Sequence, residues 1–337
     1  MTQSQSTKVV THLGLVILSL AALMGASFAN ASELKVGGFV DAQYQTRSFS
    51  SINERNSFLI NDGNFTFEKE QGNANFYLAI PFRGGSSSTT TTSAVTGLPV
   101  TTNNSNFTVG ANTAQAFVGY KYNDKLSWKL GQFASLYGFE ANETSEISFT
   151  TQGLVKTFTP ATHDGLAATF NMNKDAGITA MVANHYNQGA IGGLKPDYGI
   201  KIFNNPSWYR ASLGVLADDK ATANNERAIY DIMLGKTMGA MAVDAEVVVK
   251  SLGSSNGWAG LLNDVYAIND KLSGAVRVEY ENKMDNNFKN QFELGVGPTY
   301  ALSKELICKA DFYLISQNNY ITTGTQKNFA VGAVYKF

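Results

Sequence analysis

The sequence predicts an all-β protein, a transmembrane antiparallel up-and-down β-barrel of about sixteen strands, with fourteen and eighteen as the alternatives. Three observations predict it. Segments of roughly ten residues alternate apolar with polar or small side chains along most of the chain. The polar positions of those segments carry charge repeatedly, so that face is wet. The connections alternate short and long, as the periplasmic turns and outer loops of a bacterial outer-membrane barrel do.

The first element lies outside the barrel. Residues 1–31 read as a cleavable signal peptide, with Lys8, then the apolar run "LGLVILSLAALM", then "ANA" before Ser32. That run is short of the roughly 20 apolar residues a membrane helix needs. The exported part, residues 32–337, holds no further apolar stretch of helix length, and the chain's 16% of charged residues is low for a soluble domain. A formal net charge of −1 argues against nucleic acid as a partner. With Cys308 the single cysteine, no intrachain disulfide can hold the fold.

Strands are then expected from "LKVGGFVDAQYQ" to "NFAVGAVYKF". In "GAVRVEYENK", Val276, Val278 and Tyr280 point one way and Arg277, Glu279 and Glu281 the other. In "MAVDAEVVVK", Val243, Ala245, Val247 and Val249 oppose Asp244, Glu246 and Lys250. "NQFELGVGPTY" sets Phe292, Leu294 and Val296 against Gln291 and Glu293, and "LICKADFYL" sets Cys308, Ala310 and Phe312 against Lys309 and Asp311. A soluble sandwich alternates too, with its apolar face inward. Charge recurring beside glycine on the other face favours a barrel in lipid with a polar interior, and closure is obligatory because an open edge leaves backbone groups unpaired. Alternation is poor over 49–60 and 257–268.

Short turns are expected at "EKEQGNA", "YNDKL", "NKDAG", "NNPS", "KTMGA", "INDKL" and "LSKE". Longer connections are expected near 84–110, 134–163, 187–196, 218–225, 251–257, 283–288 and 317–325. The tract from Ser86 to Asn106 reads as a flexible, solvated outer loop. An even strand count puts both termini on the periplasmic side. At the C-terminus Phe329, Val331, Ala333, Tyr335 and Phe337 all fall on the lipid face. Gly332, Tyr335 and the terminal Phe337 resemble the signal read by the barrel assembly machinery, with Ala330 departing from the usual polar residue.

The segment Leu130–Phe170 carries Gly131 and Phe133, then Gly138 and Glu140, then Pro160, His163 and Gly165. In this spacing, and in its strand and turn pattern, the chain resembles the OmpL-like β-barrel porin family of the bacterial outer membrane. The resemblance implies a porin, passing ions and small hydrophilic solutes, and no enzyme. By analogy with sixteen-stranded general porins, the 134–163 connection would fold into the lumen and put Glu140, Glu143, Glu146 and Lys156 at a constriction. The alternative is a structural, adhesive or receptor barrel whose lumen its own loops plug.

Lys129, Lys201, Arg210, Asp244, Glu246, Arg277, Glu279, Glu293, Lys309 and Asp311 are expected to line the lumen. No metal or cofactor is expected, because His163, His185 and Cys308 lack ligand spacing. No serine stands near either histidine in sequence, as an embedded hydrolase of the phospholipase kind would need. Expected partners are outer-membrane lipid and lipopolysaccharide, the assembly machinery, small solutes and ions, and a homotrimer by analogy with general porins.

Overall fold

The computed structural model describes residues 33–49, 52–92, 99–110, 114–184, 196–218, 227–252, 255–282, 288–319 and 323–337. The signal-peptide segment, His185 and the centres of several outer connections lie outside these residues. Seventeen strands form one antiparallel sheet closed on itself. In chain order they are β1 (Lys35–Phe49), β2 (Ile52–Gln71), β3 (Ala74–Thr92), β4 (Pro99–Val109), β5 (Gln115–Lys121), β6 (Leu126–Ala134), β7 (Thr162–Asn171), β8 (Ala176–Ala183) and β9 (Asp197–Asn204). They continue as β10 (Tyr209–Asp218), β11 (Arg227–Met238), β12 (Met241–Leu252), β13 (Ser255–Ala267), β14 (Leu272–Asn282), β15 (Phe288–Ala301), β16 (Leu306–Asn319) and β17 (Thr323–Lys336).

The ring has sixteen positions, because β4 and β5 are two pieces of one stave. Thr92 to Phe82 of β3 pairs with β4, and Ala79 to Ala74 of β3 pairs with β5. The Ser/Thr tract therefore departs from the flexible loop expected of it. Its described backbone continues β3 and β4 as a long hairpin above the barrel, where β-branched threonines satisfy each other's main chain. The connection expected near 251–257 is likewise strand up to 252 and again from 255.

Closure joins the first strand to the last, Phe39 opposite Lys336 through Phe49 opposite Gln326. Gly38 and Phe337 exchange both backbone hydrogen bonds at 3.0 Å, so both ends of the described chain sit at one rim. The short turns at that rim repeat one device. Asn123, Asn173 and Asn269 each accept two backbone N–H bonds from residues two and three ahead, and Ser303 does the same with its hydroxyl.

Alternation across the wall follows the sequence pattern. Val276, Val247, Leu294 and Phe312 are exposed on the outside, while Arg277, Glu246, Glu293 and Asp311 are buried inside. Phe329, Val331, Tyr335 and Phe337 are exposed on the outer face of the last stave. The outer face is the lipid face, so these side chains gain in hydrocarbon what they would lose in water.

The candidate functional site: a loop held inside the barrel

Residues 135–161 join β6 to β7 and lie inside the barrel instead of above it. Two features of the sequence put them there. Inward-facing apolar residues near the outer rim, Leu216, Ile229, Val248, Ala259 and Leu261, form a core with Tyr137, Val155 and Phe158 of the loop. This explains the poor alternation of 257–268: on β13 Trp258 and Leu262 meet lipid while Ala259 and Leu261 meet the loop, so both faces are apolar. Tyr137 needs room as well. Its ring fills the space a Cβ would occupy on Gly199 and Gly214, and its hydroxyl donates to Val215 O at 2.8 Å.

The second feature is charge on the wall. The loop makes little regular structure, only two short 3-10 turns at Thr144–Glu146 and Val155–Phe158, so its backbone groups need partners elsewhere. Wall side chains supply them strand after strand. Lys201 donates to Leu136 O at 2.6 Å, Asp231 accepts from Gly138 N at 2.9 Å, and Glu246 accepts from Phe139 N at 2.9 Å. Glu279 accepts from Leu154 N. Lys309 donates to Thr144 O and Ile147 O at 2.6 and 2.5 Å. Asp311 accepts from both the N–H and the hydroxyl of Thr150 at 2.9 Å, and Asp62 accepts from Thr144 N at 3.1 Å. Gln43 and Asn61 both donate to Thr150 O.

Arg277 is the centre of this arrangement. It is 1% exposed, reaches Glu293 on the neighbouring stave at 2.5 Å and Glu140 of the loop at 2.8 Å, and donates to Thr151 O at 2.9 Å. Its guanidinium lies 4.5 Å from the centroid of the Phe149 ring. The second oxygen of Glu140 accepts from Gly153 N at 2.7 Å. A planar cation with several donors can bind two carboxylates and a carbonyl together, which an ammonium group cannot do in a fixed plane.

The ten wall residues read from the sequence as lumen-lining thus all face inward, but most do not meet open water. Glu246, Arg277, Glu279, Lys309 and Asp311 are buried under the loop they bond to, Glu293 is buried on Arg277, and Asp244 is buried beside Arg210. Arg210 keeps 49% of its side chain exposed beside Asp244 and packs over Phe139 at 5.0 Å. Lys129 stands between the rings of Phe117 and Phe133, at 5.8 and 4.4 Å from their centroids.

The four loop residues separate into two kinds. Glu140 is buried on Arg277, and Lys156 donates to the backbone oxygen of Glu140 at 2.8 Å, so both act inside the loop's own packing. Burial pushes the Lys156 ammonium below its ordinary value. Glu143 accepts from Asn64 at 2.6 Å and is half-buried, and burial holds its carboxyl above the usual range. Glu146 is exposed.

Sequence reading missed Gln43, Asn61, Asp62, Asn64 and Asp231 as inner-wall partners of the loop; parity could place most of them inward, but Asn61 reaches the loop beside Asp62 only because the pairing of β1 with β2 shifts register there. It also missed a contact of Ser135 with His163. Ser135 Oγ lies 3.4 Å from His163 Nε2 and accepts from Tyr137 N at 3.0 Å, while His163 Nδ1 is buried with no partner. Among the described residues no group of histidine, cysteine and carboxylate side chains could hold a metal ion.

A family model described as "Putative beta-barrel porin-2, OmpL-like" matches residues 33–337. No curated protein matches the chain in sequence. Solved structures match its fold. OmpF of Salmonella typhi, in complex with daunomycin, aligns at a TM-score of 0.66 and 11% identity, covering 92% of this chain and 99% of that one. The anion-selective porin of Comamonas acidovorans aligns at 0.61 and 10%, covering 90% and 99%. OmpT of Vibrio cholerae, in its trimer form, aligns at 0.59 and 10%, covering 91% and 100%.

Proposed function

The chain belongs to this family of OmpL-like β-barrel porins of the bacterial outer membrane, and we propose that ions and small hydrophilic solutes cross it passively between the inserted loop and the wall of β3 and β5–β8. One observation carries this reading: among the described residues the 135–161 loop is bonded strand after strand to the wall from β9 round to β2, whereas toward the opposite wall it makes only the Ser135–His163 contact with β7 at the loop's base, where Tyr137 packs on the His163 ring. A sixteen-stave ring leaves an aqueous lumen unless something fills it, and a loop fixed to one side narrows it. Glu143 and Glu146 then stand on the loop side of the passage, while Glu140 and Lys156 serve the loop's packing.

Planar-bilayer recording tests the proposal. Stepwise single-channel conductance in KCl is expected, with liposome swelling faster in a pentose than in a trisaccharide. Absence of both would leave the second reading, a structural barrel plugged by its own loop. The channel reading over an enzyme is supported by the Ser135–His163 contact: no group orients Nδ1, and His163 is 2% exposed, so the pair lacks the third member and the access a nucleophile needs.

The same reading places the protein in a Gram-negative envelope, beside lipopolysaccharide, as a homotrimer. Gly332, Tyr335 and Phe337 form its assembly signal, supported by the exposed aromatic pair Tyr335–Phe337, 6.4 Å between centroids, at the closing stave. Deleting Phe337 should leave unfolded chain in the periplasm. Normal heat-modifiable migration of the truncated protein would sink that assignment.

A further inference from the structure

The outer face carries two charges that the pore does not use. Lys236 on β11 lies opposite Val243 on β12, and Val243 lies opposite Asp264 on β13. Two strand spacings separate the charged pair by about 10 Å along one row. Both point outward. Gly235 faces inward, where a Cβ would meet Asp244 and Arg210, so Lys236 faces the other way. Asp264 shares the parity of Leu262 and Tyr266, which are exposed on the lipid side.

Asp264 is poorly served by the protein. Its row and strand neighbours on that face are Val243, Val276, Leu262 and Tyr266, and its Oδ1 is buried without a hydrogen-bond partner. A carboxylate facing hydrocarbon is costly unless a donor reaches it. Beside it opens a groove of about 600 Å³, walled by Val276, Val296, Phe312 and Phe329 and widened at Gly274, above which no atom lies within 4 Å. Depth is given by the aromatic residues: Tyr266 and Tyr300, both exposed near the turns of the inner rim, mark the membrane interface, and Asp264 is the next outward position above Tyr266.

We propose that this surface binds a phospholipid with a primary-ammonium headgroup, of the phosphatidylethanolamine class. The ammonium donates to Asp264, the phosphate lies toward Lys236, and an acyl chain occupies the groove. A carboxylate and an ammonium two strands apart in one row match a zwitterion in sign, and the apolar groove beside the carboxylate matches its tail. The unpartnered Oδ1 sets the finer specificity. It needs an N–H donor, which a primary ammonium has and a trimethylammonium lacks.

Native mass spectrometry of the full chain, loaded in detergent with phosphatidylethanolamine, phosphatidylcholine or phosphatidylglycerol of the same acyl chains, tests this. Wild type should retain phosphatidylethanolamine best. Asp264→Asn should lower that retention about tenfold, the effect of losing one charge-assisted hydrogen bond, and leave phosphatidylglycerol unchanged. Lys236→Gln should lower retention of all three. Equal retention of the ethanolamine and choline lipids by wild type, or unchanged retention by Asp264→Asn, overturns the proposal. So does a loss of oligomer in Asp264→Asn at every lipid composition, which would make the row a contact between copies. Both variants keep every pore residue, so conductance serves as the check on folding and separates this outcome from failure of the channel reading.

Discussion

From β9 round to β2 the inner wall is charged and covered, whereas on β3 and β5–β8 its inward side chains are aromatic, hydroxylated or small. The first region holds Arg277 at 1% exposure among Glu140, Glu293 and Glu279. The second holds Tyr77 stacked on Phe117 at 5.2 Å and Thr169 bonded to Thr179 at 2.9 Å, with Lys129 beside Phe133 and Lys121 nearer the turn, where it pairs with Asp124. The difference teaches that charge inside a barrel is not by itself channel lining. On the covered side it replaces the water that would otherwise solvate an irregular backbone, which is why carboxylates meet N–H groups and ammonium groups meet carbonyls.

The most direct way to break the comparison is to remove the central cation. Arg277→Ala leaves carboxylates facing one another in a buried site, a change that costs about 3–5 kcal/mol when one partner of a buried pair is deleted. The loop should detach while the barrel's own hydrogen bonds persist. Expected results are a larger, noisier single-channel conductance and protease cleavage within 135–161, with heat-modifiable migration retained. Lys129→Ala on the opposite wall should do neither, because Lys129 stands over the rings of Phe117 and Phe133 and carries none of the bonds that hold the loop to the other wall. Equal behaviour of the two variants would erase the distinction between the walls.

A smaller effect separates lipid from loop on a single strand. Val278→Arg places a charge in hydrocarbon and should cost about 2–4 kcal/mol near the membrane midplane. Its neighbour Glu279 faces inward, where a lumen position would be expected to alter conductance alone. Since Glu279 accepts from Leu154 N, Glu279→Ala should also destabilise, by about 1–3 kcal/mol for the donor left unpaired. Urea unfolding of both variants in liposomes measures this. A neutral Glu279→Ala would mean that the loop finds water at that point.

The barrel was legible in the sequence because its rule is local: alternation sets the face of strand residues such as Val276 to Tyr280 and Phe329 to Tyr335, and turn residues such as Asn123 and Asn269 set the reversals. The loop's destination was legible only by analogy. What fixes it is spread over residues that are far apart in sequence. Asp62, Asp231 and Asp311 each accept a single segment of one loop, and Gly199 and Gly214 make room for one ring. A pattern read strand by strand places these side chains inward but cannot pair them. The same limit hid the contact of Ser135 with His163, whose partners are brought together by the base of the loop, where Ser135 N donates to Ala161 O at 3.0 Å.

The smallest expected effect is on ion selectivity, and the structure redistributes the charges that set it. Glu140 is neutralised by Arg277, so of the loop's carboxylates only Glu143 and Glu146 act on passing ions, within a Debye length of roughly 8 Å at physiological salt. Lys129 opposes them from the other wall. A weak preference for cations is expected, read as the sign of the reversal potential under a KCl gradient. Neutralising Glu143 and Glu146 to Gln should shift that potential toward the anion side, whereas Glu140→Gln should loosen the loop and act on conductance first. The pH dependence has a definite sign. Burial raises the Glu143 carboxyl above its ordinary value of 4.5, so as pH falls this group takes up its proton before an ordinary carboxylate does. Cation preference should therefore decline as pH falls, and Glu143→Gln should remove the part of that decline that comes first. A reversal potential that titrates identically in wild type and Glu143→Gln would place Glu143 outside the ions' path and leave Glu146 as the loop's sole contribution.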